Sequence, residues 1–454
     1  MAEQEFDVVV IGAGSSGEVC AGRAADGGLK VAIVEDHLVG GECSYYACMP
    51  SKALLRPAEL LAEVRRVPGV AEAVTGELDS GIVLRRRNEV ISDRDDSGQL
   101  PWLEDRSVKL FRGAATLDGE RRVKVGDDVL VAGQAVVIAT GSEAAIPPID
   151  GLREAGPWTN REATTAEEVP ARLAVLGGGP VGIELAQAWS TLGSAVTLVE
   201  AEDRVLSKME DFASEQVTAG LSDAGVDVRT GDKATAVSRN GHVRVELETG
   251  DAIEADVLLV AIGRRARTDG LGLESIGVDV DGYLDVNDRM RVSGSDWLYA
   301  VGDVNGRALL THMGKYQARI CADNLLGKDI EATADRTPPP QVVFTEPQVA
   351  SVGHTMASAR EAGVEARAVD AETSKTAGAS FVGRDAPGTT RLVVDASRGV
   401  VVGATFVGPE VAEWLHAATI AVACETPMER LAHAVAAYPT RSEIWLKLIE
   451  AYGL

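Results

Sequence analysis

The stretch Asp7-Val8-Val9-Val10-Ile11-Gly12-Ala13-Gly14-Ser15-Ser16-Gly17 decides the fold. A short apolar run of this kind, closed by a glycine turn, reads as a buried strand. A helix is predicted to follow, through about Asp26. The next apolar run, Val31-Ala32-Ile33-Val34, ends in Glu35, 18 residues after Gly17. Strand, glycine turn, helix, strand and acid together make a dinucleotide-binding fingerprint. Gly12, Gly14 and Gly17 let the backbone approach a pyrophosphate, the helix N-terminus faces it, and Glu35 is placed to hold a ribose 2′-hydroxyl.

The pattern recurs. Leu173-Ala174-Val175-Leu176 leads into Gly177-Gly178-Gly179-Pro180-Val181-Gly182, and Val196-Thr197-Leu198-Val199 ends in Glu200, again 18 residues after the last glycine. Two fingerprints imply two dinucleotides, and a flavin with a nicotinamide is the economical pairing. Glu200, where an arginine would take a 2′-phosphate, favours NADH, with NADPH the less favoured alternative; Arg204 just downstream works against that preference.

Between the fingerprints lies Gly40-Gly41-Glu42-Cys43-Ser44-Tyr45-Tyr46-Ala47-Cys48-Met49-Pro50-Ser51-Lys52. Two cysteines five positions apart at the opening of a helix can close into a disulfide, and the helix N-terminus lowers the pKa of a thiol there. A zinc site would need a second pair. Cys20, Cys321 and Cys424 read as isolated, so a redox-active disulfide is expected ahead of two unpaired structural thiols, and no metal.

Composition narrows the class. The 454 residues suggest about three domains. A hydrophobic content of 45% with 48 glycines suits an α/β protein with several cores. A net charge of −25 and an aromatic content of 4% argue against nucleic-acid and membrane partners. No apolar stretch approaches the length of a spanning helix or a signal-peptide core, and the cysteine usage points to the cytoplasm.

Further along, Val136-Val137-Ile138-Ala139-Thr140-Gly141-Ser142 and Val257-Leu258-Leu259-Val260-Ala261-Ile262-Gly263-Arg264 read as strands returning the chain to the flavin domain. Leu298-Tyr299-Ala300-Val301-Gly302-Asp303-Val304 reads as a buried strand ending in an aspartate. Arg336-Thr337-Pro338-Pro339-Pro340 is a linker. Strands at 392–394 and 400–407 and helices at 411–424 and from Met428 follow. The charged segment 62–102 carries no assignable motif.

With these motifs in order, the sequence resembles the flavoprotein pyridine nucleotide-disulfide oxidoreductases, the family of dihydrolipoamide dehydrogenase, glutathione reductase and mercuric reductase. Val343-Phe344-Thr345-Glu346-Pro347 and Pro439-Thr440-Arg441-Ser442-Glu443 extend the resemblance to essentially the whole chain. It implies an α/β fold with two Rossmann-like dinucleotide-binding domains, for FAD and NAD, plus a C-terminal α+β dimerisation domain. The corresponding segments are 1–148 (FAD, first part), 149–270 (NAD), 271–335 (FAD, second part) and 336–454 (interface). It also implies a homodimer that takes electrons from NADH.

Carried over by position, the resemblance makes Cys48 the thiol nearest the flavin and Cys43 the interchange thiol that meets substrate. Lys52 would lie beside the flavin and pair with Glu184, the positive charge stabilising reduced flavin. Gly41, Thr140, Gly141, Asp303 and His312 join the FAD site, and Gly263 joins the NAD site with Glu184. His312 reads as a packing or supporting histidine.

The chain also departs from the family. Where disulfide reductases carry an acid/base histidine before Pro-Thr-x-Ser-Glu, this sequence has Tyr438. Histidine titrates near pH 6.5 and serves as both acid and base, whereas tyrosine, with a pKa of about 10, is rarely a base. Losing such a group costs roughly 10² to 10⁴ in a proton-transfer step. Lipoamide and glutathione disulfide are therefore not the expected substrates. Glu443, which would orient the histidine, is retained and is placed to hydrogen-bond Tyr438. His433, five residues upstream, reads as a surface or interface residue.

Mercuric reductases share the tyrosine but end in a cysteine pair that this sequence lacks after Cys424. Tyr45 and Tyr46 either stack on a flat acceptor or pack against their own surroundings. The expectation is an enzyme passing electrons from NADH through flavin to Cys43–Cys48 and on to an unidentified small-molecule acceptor. The competing expectation is a quinone, dye or metal-ion (mercuric-type) reductase in which electrons leave from the flavin.

Overall fold

The computed structural model describes residues 3–280, 282–384 and 386–454. The chain divides into two compact units. The first comprises residues 1–50, 88–145 and 264–336, and the second residues 51–87, 146–263 and 337–454. The stretch 51–87, expected with the first FAD segment, is thus compact with the second unit.

The first unit is built on a sheet whose parallel part runs Lys109–Arg112, Val31–Glu35, Glu3–Ile11, Asp128–Ile138 and Leu298–Ala300. The central strands carry continuous apolar runs because both faces are covered. Val9, Ile11, Val136 and Ile138 face one core with Leu284 and Leu298. Val8, Val10, Val137 and Ile33 face the other with Cys20, Ala21 and Cys321. That second core is roofed by the helices Ser15–Asp26 and Thr311–Leu325. The chain re-enters this unit through Arg264–Ala266, which pairs antiparallel with Ser142–Ala144.

The second unit holds a four-stranded parallel sheet in the order Asp227–Thr230, Ala195–Glu200, Arg172–Leu176 and Val257–Val260. The last of these corrects the sequence expectation. Val257–Val260 stays beside the second fingerprint strand, in register Leu258↔Ala174 and Leu259↔Val175, because its apolar side chains complete a core with Leu176, Val199 and Val245. A three-stranded antiparallel meander, Ala234–Asn240, His242–Leu247 and Ala252–Ala255, joins the same core.

Residues 337–454 supply a five-stranded antiparallel sheet, covered by Leu415–Ala423 and Ile444–Tyr452. Its core gathers Phe406, Leu392, Val401, Ile444 and Leu448. Residues 62–102 form the end of the helix Cys48–Arg66, the helix Ser80–Val90 and short turns. There Arg87, fully buried, donates to the carbonyls of Thr164 and Ala166.

Candidate active site

In the first unit the glycine turn has the geometry its sequence requires. Gly12 has φ +102°, and a Cβ there would lie 2.5 Å from Ala139 O. A Cβ on Gly17 would lie 1.9 Å from Gly12 O, so only glycine lets the helix pack onto the strand. Gly14, by contrast, opens into space: its nearest neighbour would be Gly41 Cα at 3.9 Å. This leaves a cradle over the N-terminus of the helix Ser15–Asp26, suited to a diphosphate. Glu35 braces the turn, accepting from Ala13 N–H at 2.6 Å and from His37 N–H at 2.9 Å.

Thr140 and Gly141 form a turn held from the returning segment. Thr140 Oγ1 donates to Arg267 O at 2.7 Å, and Arg267 N–H donates to Gly141 O at 3.0 Å. Beside it, Ser142 Oγ donates to Asp303 Oδ2 at 2.5 Å, and Arg264 Nε donates to Ser142 Oγ at 2.6 Å. Asp303 is thus aimed by a serine and an arginine that sequence reading passed over. His312 lies exposed in the first turn of Thr311–Leu325. These groups, with the open glycine cradle, fit FAD.

The cysteine loop is stitched to the same turn. Gly40 and Gly41 take φ of +109° and +64°, Gly40 bridges Gly14, and a Cβ on Gly41 would lie 2.6 Å from Gly14 Cα. Two short helical starts follow, Gly41–Tyr45 with Cys43 and Cys48–Arg66 with Cys48 at its opening. Pro50 is tolerated there because first-turn N–H groups lack intrahelical partners.

Both cysteines are present as thiols. The hydrogen bond to Cys48 and then burial push the Cys43 thiol far up, while Thr311 and Lys315 pull it down. Thr311 Oγ1 also lies 3.5 Å from Cys48 Sγ.

Tyr45 is buried and Tyr46 stacks on His37, their ring centroids 5.6 Å apart, with the Tyr46 hydroxyl 2.8 Å from His37 Nε2. The two tyrosines therefore pack within their own unit. One expectation fails here: Cys20 and Cys321 are not isolated. Fully buried on the packed helices Ser15–Asp26 and Thr311–Leu325, they hydrogen-bond one another.

The second unit repeats the glycine logic. A Cβ on Gly177 would lie 2.5 Å from Ala261 O and one on Gly182 1.9 Å from Gly177 O, whereas Gly179 has nothing within 4 Å. Glu200 accepts from Gly178 N–H at 2.5 Å and Glu202 N–H at 2.8 Å. Gly263 has φ +154° just beyond the strand Val257–Val260. Arg204 is engaged by the carbonyls of Met209 and Ser207 and by Asp211. An open cradle, with a carboxylate at the second strand's end, fits a pyridine nucleotide.

Glu184, buried on the helix Pro180–Thr191, accepts from Lys52 Nζ at 2.7 Å and from Phe344 N–H at 2.9 Å. Tyr438 is 78% exposed. Its hydroxyl makes no hydrogen bond among the described residues, and Glu443 Oε2 is buried without a partner. The hydrogen bond expected between them is not formed within the chain, because the Tyr438 ring points into solvent. Among the described residues, no group of three His, Cys, Asp or Glu converges to hold a metal ion, and no helix is long and apolar enough to cross a membrane.

Comparison with known proteins agrees with this arrangement. The family model for the pyridine nucleotide-disulphide oxidoreductases matches residues 6–318, and that for their dimerisation domain matches residues 339–449. A dihydrolipoyl dehydrogenase of Thermus scotoductus is 36% identical over 456 residues, covering 98% of this chain and 97% of the relative. A mercuric reductase of Staphylococcus aureus is 31% identical, covering 97% and 81%. Among solved structures, the HOCl-induced flavoprotein disulfide reductase RclA of Escherichia coli, as its Cu(II) complex, superposes with a TM-score of 0.87 at 26% identity, covering 98% and 99%. LpdA of Mycobacterium tuberculosis gives 0.87 at 25% identity over both whole chains. The chain therefore belongs to the pyridine nucleotide-disulphide oxidoreductases, enzymes that work with FAD and a pyridine nucleotide.

Proposed function

We propose that this protein uses NADH and FAD to reduce the Cys43–Cys48 pair, which then reduces a small oxidised acceptor other than lipoamide or glutathione disulfide. The observation that carries the reading is the placement of Cys43 and Cys48 as adjacent thiols under one hydroxyl, that of Thr311. FAD, when bound, supplies the two-electron relay between pyridine nucleotide and thiols.

The chain's own residues do the rest. Gly12, Gly14 and Gly17 with Asp303 hold the FAD, while Gly177, Gly179, Gly182 and Glu200 hold the nucleotide. Glu200 favours a free 2′-hydroxyl over a 2′-phosphate, and Arg204 is already committed to its own loop. Lys52, paired with Glu184, supplies a fixed positive charge.

Tyr438 supports the choice of acceptor. A phenol does not take up a thiol proton near neutral pH, so a disulfide partner that relies on a histidine base is poorly served. The apolar groups Phe381 (71% exposed), Val435 (90%) and Tyr438 in the C-terminal segment suit the interface of a homodimer. Cysteine usage, with Cys20 and Cys321 buried as thiols, fits a reducing compartment such as the cytoplasm.

Anaerobic titration of the FAD-loaded protein with NADH tests the reading. A long-wavelength thiolate-to-flavin absorbance, with the flavin still oxidised after two electrons, is expected. Direct bleaching without that band overturns it in favour of a quinone, dye or metal-ion reductase working from the flavin. Replacing both Cys43 and Cys48 by serine then abolishes acceptor reduction in the first case and spares it in the second.

A further inference from the structure

Tyr46 lies inside the redox loop, three residues after Cys43 and two before Cys48. The short helix Gly41–Tyr45, which carries Cys43, ends at Tyr46, where the backbone turns to φ −135°. Cys48 opens the next helix two residues later. How Tyr46 is held therefore sets how Cys43 stands toward Cys48.

What holds it is His37. The two rings lie nearly parallel, 18° apart with centroids at 5.6 Å, and the Tyr46 hydroxyl is 2.8 Å from His37 Nε2. Tyr45 meets Tyr46 edge-on, with centroids 6.5 Å apart. Tyr45 is itself buried against the loop's glycine corner, where a Cβ on Gly40 would lie 3.0 Å from its Cε2.

His37 is exposed, yet its backbone is fixed from both sides. Its N–H donates to Glu35 Oε1 at 2.9 Å, and its carbonyl accepts from Arg112 Nη1 at 3.0 Å. Arg112 Nη2 lies 2.7 Å from Asp96 Oδ2, which also accepts from Val39 N–H at 2.7 Å. The clamp on Tyr46 is thus mounted on the end of the strand Val31–Glu35, beside the acid that braces the first glycine turn.

Resting on the reading of Cys43–Cys48 as the working couple, we propose that His37 and Tyr46 are positioning residues that set its redox potential. In the disulfide form the S–S bond itself keeps the loop closed. In the dithiol form the clamp does so, holding the thiols adjacent as they stand here. Removing the clamp frees the dithiol and changes the disulfide little, so closure loses its preorganisation. The wild-type disulfide is therefore harder to reduce than one without the clamp. The couple is Cys43–Cys48 disulfide plus two electrons and two protons, giving two thiols.

The test equilibrates FAD-loaded protein anaerobically with mixtures of reduced and oxidised dithiothreitol. Reduced dithiothreitol gives up two electrons and two protons and closes to its own disulfide as Cys43–Cys48 opens. Free thiols are trapped with iodoacetamide, and the fraction carrying the label on both cysteines is read by peptide mass. An aromatic pair and a hydrogen bond together are worth roughly a factor of ten. Y46A and H37A are each expected to half-reduce at a tenfold lower ratio of reduced to oxidised dithiothreitol, about 30 mV for a two-electron couple.

The double variant is expected to go no further than either single, because the two side chains act as one unit. Y46F and H37F keep stacked rings without the hydrogen bond. They are expected to shift by roughly threefold, and they decide the matter if the alanine variants do not fold. Half-reduction ratios equal to wild type or above it overturn the proposal, as does a double variant showing the product of the single effects. A wild-type protein that forms no Cys43–Cys48 disulfide in oxidised dithiothreitol overturns instead the reading beneath it, so the two failures are distinguishable.

Discussion

Lys52 Nζ lies 2.7 Å from Glu184 Oε2, and the other oxygen of that carboxylate takes the Phe344 N–H at 2.9 Å. The ammonium also sits 4.8 Å from the centre of the Phe344 ring. A buried carboxylate is stable only when charged and polar partners satisfy it. Glu184 therefore fixes Lys52, and Phe344 fixes Glu184.

K52M is expected to lower stability by about 1–2 kcal/mol, a figure held down because Lys52 is a third exposed. It is also expected to slow flavin reduction by NADH roughly tenfold or more through loss of the fixed charge. Calorimetry and stopped-flow absorbance check the two effects. Wild-type values in both would mean that the pair is incidental.

The two glycine turns predict separable losses. In G17A and G182A alike the new Cβ would fall 1.9 Å from a backbone oxygen of the same turn. Each opens its helix away from its strand in a different unit. G17A is expected to purify with little FAD. G182A is expected to keep its FAD and show a raised KM for NADH. Loss of FAD from G182A would refute the assignment of the second turn to the nucleotide.

These turns were legible in the sequence because their parts are local: strand, glycines, helix and acid lie within thirty residues of one another. The cysteine loop was legible for the same reason. What stayed hidden depends on distant packing. Cys20 and Cys321 meet only because Ser15–Asp26 lies against Thr311–Leu325. Val257–Val260 resembled Val136–Ile138 in its apolar run, yet register with Arg172–Leu176 decided its sheet. Tyr45 and Tyr46 carried no signal of which way their rings face.

In the C-terminal segment, Asp395 accepts from Ser397 N–H at 3.0 Å, Ser397 Oγ at 2.6 Å and Arg398 Nε at 2.7 Å. The Ser397 hydroxyl, then the Arg398 guanidinium, hold its carboxyl at about 2. A carboxylate depressed in the folded state adds stability above its unfolded pKa of about 3.9. That contribution fades as pH falls toward about 2. D395N should therefore melt below wild type at pH 6 and converge with it as pH falls through about 2, where the Asp395 carboxyl takes up its proton and both side chains become uncharged. Parallel melting curves across that range would remove Asp395 from the account.

Tyr438 offers the sharpest test of the acceptor assignment. If the missing base is what bars lipoamide and glutathione disulfide, Y438H should gain turnover with one of them by about 10². The gained rate should rise with a group near pH 6.5, the ordinary histidine value. Glu443 Oε2 is buried without a partner, an acceptor open to an imidazole N–H once the ring at 438 turns from solvent toward it. Y438F separates the tyrosine's own contribution: if the phenol donates no proton, Y438F keeps the wild-type rate with the native acceptor. A Y438H protein that reduces neither substrate, while its NADH titration still yields the charge-transfer absorbance, would place the barrier in the approach to Cys43 rather than in proton transfer.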